Sequence, residues 1–240
     1  MSTDDVPEFG RDADATPAPR VSSGGEVSER SWRRLGHELT HAGSVRDCVG
    51  TVERYGWLPP LLGLLVHGLS RGIFEHLAEP FAMSQGYVFA GWPLALGINL
   101  FYGLFFVGFT WFLYFGVVGA LAGYFSEKTT LDTTVFKIGG YLTLLFVPLV
   151  ALAAALALTI PAPDPVIAGA APATEVAETH RAVRDTIQMR IVDVTMAGGW
   201  ILVGVLMLPV VSELYDVDKK ASVLSVLPVT LVAVTATQLL

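Results

Sequence analysis

INLFYGLFFVGFTWFLYFGVVGALAGYF, residues 98–125, decides how the chain is read. A helix of a soluble protein shows a polar stripe every three to four residues. Here Gly, Phe, Leu, Val, Trp and Tyr occupy every face, with Asn99 and Thr110 as the main interruptions. About 20 predominantly apolar residues cross about 30 Å of hydrocarbon, so this stretch is long enough for a membrane span. The charge-free zone around it is wider, from Pro80 to Ser126 without one Asp, Glu, Lys or Arg.

The rest of the composition agrees. The 240 residues are 52% hydrophobic and 15% charged, with mean hydropathy +0.56; soluble domains carry roughly 25% charged residues. The expected fold class is therefore all-α: a polytopic transmembrane helix bundle of about five spans with a disordered N-terminal tail. Formal charge is −7, from 22 acidic and 15 basic residues. Lys128, Lys137, Lys219 and Lys220 are the chain's lysines, a halophile-like composition. The acidity argues against nucleic acid as a partner, because phosphate contacts need a basic face. The lone Cys48 leaves no intramolecular disulfide, and no cofactor is called for.

Toward the N-terminus, Pro59 and Pro60 open a weaker span over 57–78. Proline suits the first turn of a helix, whose N–H groups lack partners anyway. Arg71 is read as snorkelling near the exit, and His67 as facing a neighbouring helix. Residues 86–97 read as an interfacial approach to the central span, with Tyr87 and Trp92 in the headgroup belt, or as part of a sixth crossing. Residues 28–55 form an amphipathic segment: Trp32, Leu35 and Leu39 recur at helical spacing. Gly43-Ser44 marks a stop and a fresh N-cap, and Val45, Cys48, Val49 and Val52 make a second stripe. Residues 1–27 hold almost no aliphatic side chains and read as a disordered acidic tail, with no signal-peptide pattern.

Toward the C-terminus come a polar loop to Lys137, a span over 138–160 with Pro148 near its middle, and a Pro/Ala linker over 161–173. A short polar helix capped by Thr174 follows. Then come a span over 191–211 with Asp193 near its start, a charged loop over 212–220, and a last span over 221–240. Residues 56–240 thus make one membrane domain. Asn99, Thr110 and Thr143 are candidates for interhelical hydrogen bonds.

Basic residues near span ends set orientation. Arg33, Arg34, Arg46, Arg54, Lys128, Lys137, Lys219 and Lys220 share one side, against Arg71, Arg181, Arg184 and Arg190 on the other. The expectation is a multi-pass cell-membrane protein with a cytoplasmic N-terminus and an outward C-terminus.

His37-Glu38-Leu39-Thr40-His41 matches H-E-x-x-H, which on a helix puts two imidazoles one turn apart beside a general-base carboxylate, as in zinc proteases. Membrane-embedded zinc proteases add a third ligand downstream, in a helix reading roughly E-x-x-A-D. The nearest text here, SELYDVDKKAS at 212–222, puts Leu214 in the ligand register, with Glu213 one position off. That shift is about 100° of helix rotation. A metalloprotease using His37, Glu38 and His41 is therefore carried as an alternative function, and the motif itself as chance on a polar helix. A small-solute transporter is the second alternative; transporters usually place ionisable groups at midplane, and no charged residue lies deep in any expected span.

The C-terminal half, about residues 120–240, resembles the Yip family of Ypt/Rab-interacting small membrane proteins. The residues that carry the likeness are Lys137-Ile138-Gly139-Gly140-Tyr141 with Pro148, then Trp200, then Glu213 to Lys220-Ala221, then Pro228. The loop before Lys220 is one residue shorter than the usual pattern. The resemblance implies five spans, a cytoplasmic N-terminus and a non-enzymatic scaffold or adaptor. Its expected partners are the lipid bilayer and a protein partner or a second copy. Trp32, Leu35 and Leu39 with Glu213, Asp218, Lys219 and Lys220 are the expected partner-binding residues: a stripe too short to make its own core, and more mixed charge than a plain turn needs.

Overall fold

The structure, a computed structural model, describes residues 32–127, 131–161, 170–172, 174 and 176–239. The expected tail over 1–27 and most of the Pro/Ala linker lie outside the described residues. Helices dominate, as the composition predicts: α1 Trp32–Thr40, α2 Val45–Tyr55, α3 Leu58–Ala78, α4 Trp92–Phe125, α5 Thr134–Leu142, α6 Phe146–Ala157, α7 Ala177–Arg184, α8 Ile187–Tyr215 and α9 Lys219–Leu239. Strands β1 Ala82–Ser84, β2 Tyr87–Phe89 and β3 Ala170–Pro172 form a small antiparallel sheet in the order β1-β2-β3.

Four helical segments are long and apolar enough to cross a membrane: Trp92–Phe125, Thr134–Ala157, Ile187–Tyr215 and Lys219–Thr237. α3 is the fifth long element. Its 21 residues reach about 31 Å at 1.5 Å per residue. Leu58, Leu61, Leu65, Ile73 and Leu77 point away from the bundle, while Gly63, His67, Gly68, Gly72 and Phe74 are buried inside it. Apolar residues outside with small and polar ones inside is the pattern of a helix whose outer solvent is hydrocarbon.

The long helices close a ring. α3 packs on α4 and α6, α4 on α9, α9 on α8, and α8 on α6. The end that carries α1 and α2 is termed here the near end, and the end that carries the sheet and α7 the far end. The near half is solid: Phe115, Val118, Ala122, Val135, Met207, Val211 and Tyr215 are buried together there.

Several boundaries differ from those expected. The approach over 86–97 is a hairpin followed by helix. Gln85 and Gly86 turn with positive φ (50° and 81°) between β1 and β2, and α4 starts at Trp92 with Pro93 in its first turn. α4 is therefore 34 residues, about 51 Å, and projects past about 30 Å of hydrocarbon to carry the hairpin. The third span is broken into α5, a 3₁₀ turn over Thr143–Leu145, and α6. Pro148 has no N–H for the Leu144 carbonyl and its ring crowds that carbonyl, so the preceding turn tightens. The polar helix expected from Thr174 starts at Ala177, and Thr186 caps α8 instead, its side chain accepting from the Met189 N–H at 3.3 Å.

Candidate functional site

At the near end, α1 and α2 form a helical hairpin folded over the bundle. Ser44 caps α2, its Oγ accepting from the Asp47 N–H at 3.2 Å. Leu35 is buried, and Leu39 is half-buried against the main core. Val49 and Val52 belong to that core. Two polar contacts tie the hairpin down. Thr134 Oγ1 donates to Glu53 Oε1 at 3.1 Å, and Arg46 Nε lies 3.8 Å from Glu213 Oε1. The second contact joins the amphipathic segment to the α8–α9 turn, two of the segments that sequence assigns to one surface.

The expected partner-binding residues divide by role. Leu35 is buried, Leu39 packs against the main core, and α1 packs on α2. Glu213, Asp218, Lys219 and Lys220 are exposed. Asp218 also caps α9, accepting from the Ala221 N–H at 2.8 Å. Trp32 starts α1; its side chain lies outside the described residues.

His37 and His41 lie one turn apart on α1 with their rings stacked, centroids 4.1 Å apart. Glu38 is held by Arg34 at 3.0 Å and by Arg54 at 3.4 Å. Among the described residues no third His, Cys, Asp or Glu completes a metal-binding group with them. Glu213, the nearest sequence candidate, is engaged with Arg46.

The far half of the ring encloses a cavity of about 140 Å³, to which all five long elements contribute. Its floor is aromatic. His67 stacks on Phe146 with ring centroids 5.2 Å apart, Phe146 packs against Trp200 at 4.9 Å, and Trp200 against Tyr114 at 5.0 Å. Its mouth is charged. Arg71 and Glu75 lie on α3, Arg184 ends α7, and Asp193 lies near the start of α8. Glu75 reaches both arginines, Arg71 at 3.5 Å and Arg184 at 3.3 Å. His180 Nδ1 meets Glu79 at 2.8 Å and fastens α7 to the end of α3. Two residues lining this cavity each hold a buried nitrogen, His67 Nδ1 and Arg184 Nε, with no hydrogen-bond partner among the described residues.

Sequence reading singles out His67, Arg71, Arg184, Asp193 and Trp200 one at a time and does not bring them together. The signal was there in α3: His67, Arg71 and Glu75 recur every four residues, the spacing of one helical face. Arg71 is part exposed near the end of α3 and also lines the cavity beside Glu75. Of the three expected polar contacts, Asn99 Nδ2 donates to the Phe81 carbonyl at 3.1 Å across the α3–β1 connection. Thr143 bonds locally to the Gly140 carbonyl at 2.7 Å, and Thr110 lines the cavity. No family model, no curated protein and no solved structure matches the chain.

Proposed function

We propose that the chain is a non-enzymatic membrane adaptor of the kind the Yip resemblance implies, presenting its near end to a protein partner on the cytoplasmic side. The observation that supports this most is the Arg46–Glu213 contact. It brings two segments far apart in sequence onto one polar surface, with Leu39, Val49 and Val52 packed into the main core beneath it. What remains outward is charge of both signs: Arg33, Arg46, Glu213, Asp218, Lys219 and Lys220 are exposed. Mixed charge on a braced surface gives a partner specificity and orientation more than raw affinity. The cytoplasmic assignment follows the excess of basic residues at this end.

The test is co-purification from native membranes after mild cross-linking. Lys219→Gln with Lys220→Gln, and separately Trp32→Ala, are expected to remove proteins that accompany the wild type while the topology stays the same. An unchanged set of companions in both variants rejects the adaptor reading. Altered insertion in the double lysine variant assigns those lysines to headgroup anchoring instead, worth about 1 kcal/mol each.

A further inference from the structure

We propose that the lumen of the helix ring is a binding site for a small organic acid, a carboxylate joined to an aromatic or short aliphatic body. It rests on residues separate from the adaptor surface. A cavity near 140 Å³ is of the size that admits a benzene-sized group. Its walls suit a flat apolar body: Phe74, Trp111, Phe146 and Trp200 line it together with Val150. Small-molecule sites have this build, mostly apolar with a few convergent polar groups.

The polar end sets the charge of the ligand. Glu75 is shared between two guanidinium groups, reaching both Arg71 and Arg184, and Asp193 lies near both Arg184 and Glu75. An incoming cation would have to displace an arginine. The donors are in the opposite condition. The Glu75 contacts, at 3.5 and 3.3 Å, are longer than the 2.7–2.9 Å of a closed charge-assisted pair. A guanidinium carries five N–H donors, and Arg71 and Arg184 each reach Glu75 through Nη2, which leaves further N–H groups on each. A ligand carboxylate would supply acceptors at the mouth. At the floor, His67 is only 7% exposed and stacks on Phe146, extending the flat wall against which a ring would lie.

Binding is measured by titration calorimetry on the full chain in phosphatidylcholine nanodiscs. Three isosteric probes are used: 3-phenylpropanoate, 3-phenylpropan-1-ol and 3-phenylpropylammonium. The carboxylate is expected to bind saturably at one site per chain, at least about tenfold tighter than either analogue, a difference of about 1.4 kcal/mol. Arg184→Gln should reduce it to the level of the alcohol. Ala233→Trp, which fills the lumen from α9, should abolish binding of all three. The comparison among probes needs only the wild type, so it decides even where a variant fails to fold. Equal binding of alcohol and carboxylate, preference for the ammonium, or no saturable heat up to the solubility limit each overturns the assignment. Nanodiscs of phosphatidylglycerol separate the source of the anion. Unchanged affinity there supports a free acid, and loss of binding assigns the mouth to lipid headgroups and overturns it.

Discussion

At the residue scale, glycine sets how closely α3 and α4 approach. A Cβ at Gly103 would strike the Gly68 carbonyl and the Gly72 backbone, and one at Gly72 would lie 2.6 Å from the Asn99 carbonyl. Gly68 and Gly72 form the small-xxx-small pattern that lets membrane helices meet backbone to backbone. Gly108, on the same helix, has nothing within 4 Å of an added Cβ. Gly103→Leu is therefore expected to destabilise the bundle by about 1–3 kcal/mol, the usual cost of overpacking. Gly108→Leu should be neutral or slightly stabilising because leucine is the better helix former. Equilibrium unfolding in mixed micelles compares them; equal effects would mean that the α3–α4 approach does not limit stability. Buried polar pairs make a second case. Tyr114 and Thr230 hydroxyls meet at 2.8 Å between α4 and α9, and Thr230 Oγ1 in turn donates to the Val226 carbonyl at 3.0 Å. Tyr114→Phe should cost about 1 kcal/mol in the same measurement, the net worth of an ordinary hydrogen bond.

At the element scale, α3 is not among the four helices long and apolar enough to cross a membrane, yet packing makes it necessary to the ring. Without it the ring is open between α4 and α6, and the polar lumen faces lipid. Its last turns carry Arg71 and Glu75, tolerable because both face the lumen and each other rather than hydrocarbon. The five-span order is tested by labelling single cysteines with a membrane-impermeant reagent after Cys48 is replaced. Glu127, Arg181 and Lys220 are exposed in the connections and suit the purpose. Ser222 does not, since it is buried and its Oγ donates to the Leu208 carbonyl at 2.6 Å. Labelling from outside is expected at position 181 alone. Reaction at 127 or 220 from that side would reverse or break the order. The kink between α5 and α6 belongs to this scale too. Pro148→Ala restores an N–H for the Leu144 carbonyl and should straighten the segment, moving Thr143 and Phe146, both of which line the lumen.

At the scale of the whole molecule, the bundle has a packed end and a hollow end, and a different closure covers each. The near end is covered by the α1–α2 hairpin through Val49 and Val52, with Glu53 bonded to Thr134. The far end is covered by the small sheet and by α7, fastened through His180–Glu79 and Arg184–Glu75. Val52→Asp puts a carboxylate into the near-end core, and burying an unpaired charge is strongly disfavoured. The hairpin should lift off, and trypsin should cut at Arg46 and Arg54 while the long helices stay protected. Protection of both arginines in that variant would show the hairpin held by contacts other than this core.

The sequence by itself determined the solvent and the class of fold. The run over 98–125 is apolar on every face and long enough to cross hydrocarbon, where a single span satisfies its backbone groups within its own helix. It also placed Ser44 as the cap of α2 and Pro148 at a break, because caps and proline act on their own few neighbours. Hydropathy says how apolar a helix is and not which neighbour its polar residues meet, so the ring, its lumen and the meeting of Arg71, Glu75, Arg184 and Asp193 were decided by tertiary structure alone. Those four come from α3, from the end of α7 and from the start of α8, and only the closure of the far end puts them around one mouth. The fate of Leu35 and Leu39 was decided the same way: the stripe demanded burial, and packing buried it within the chain itself, Leu39 against the main core.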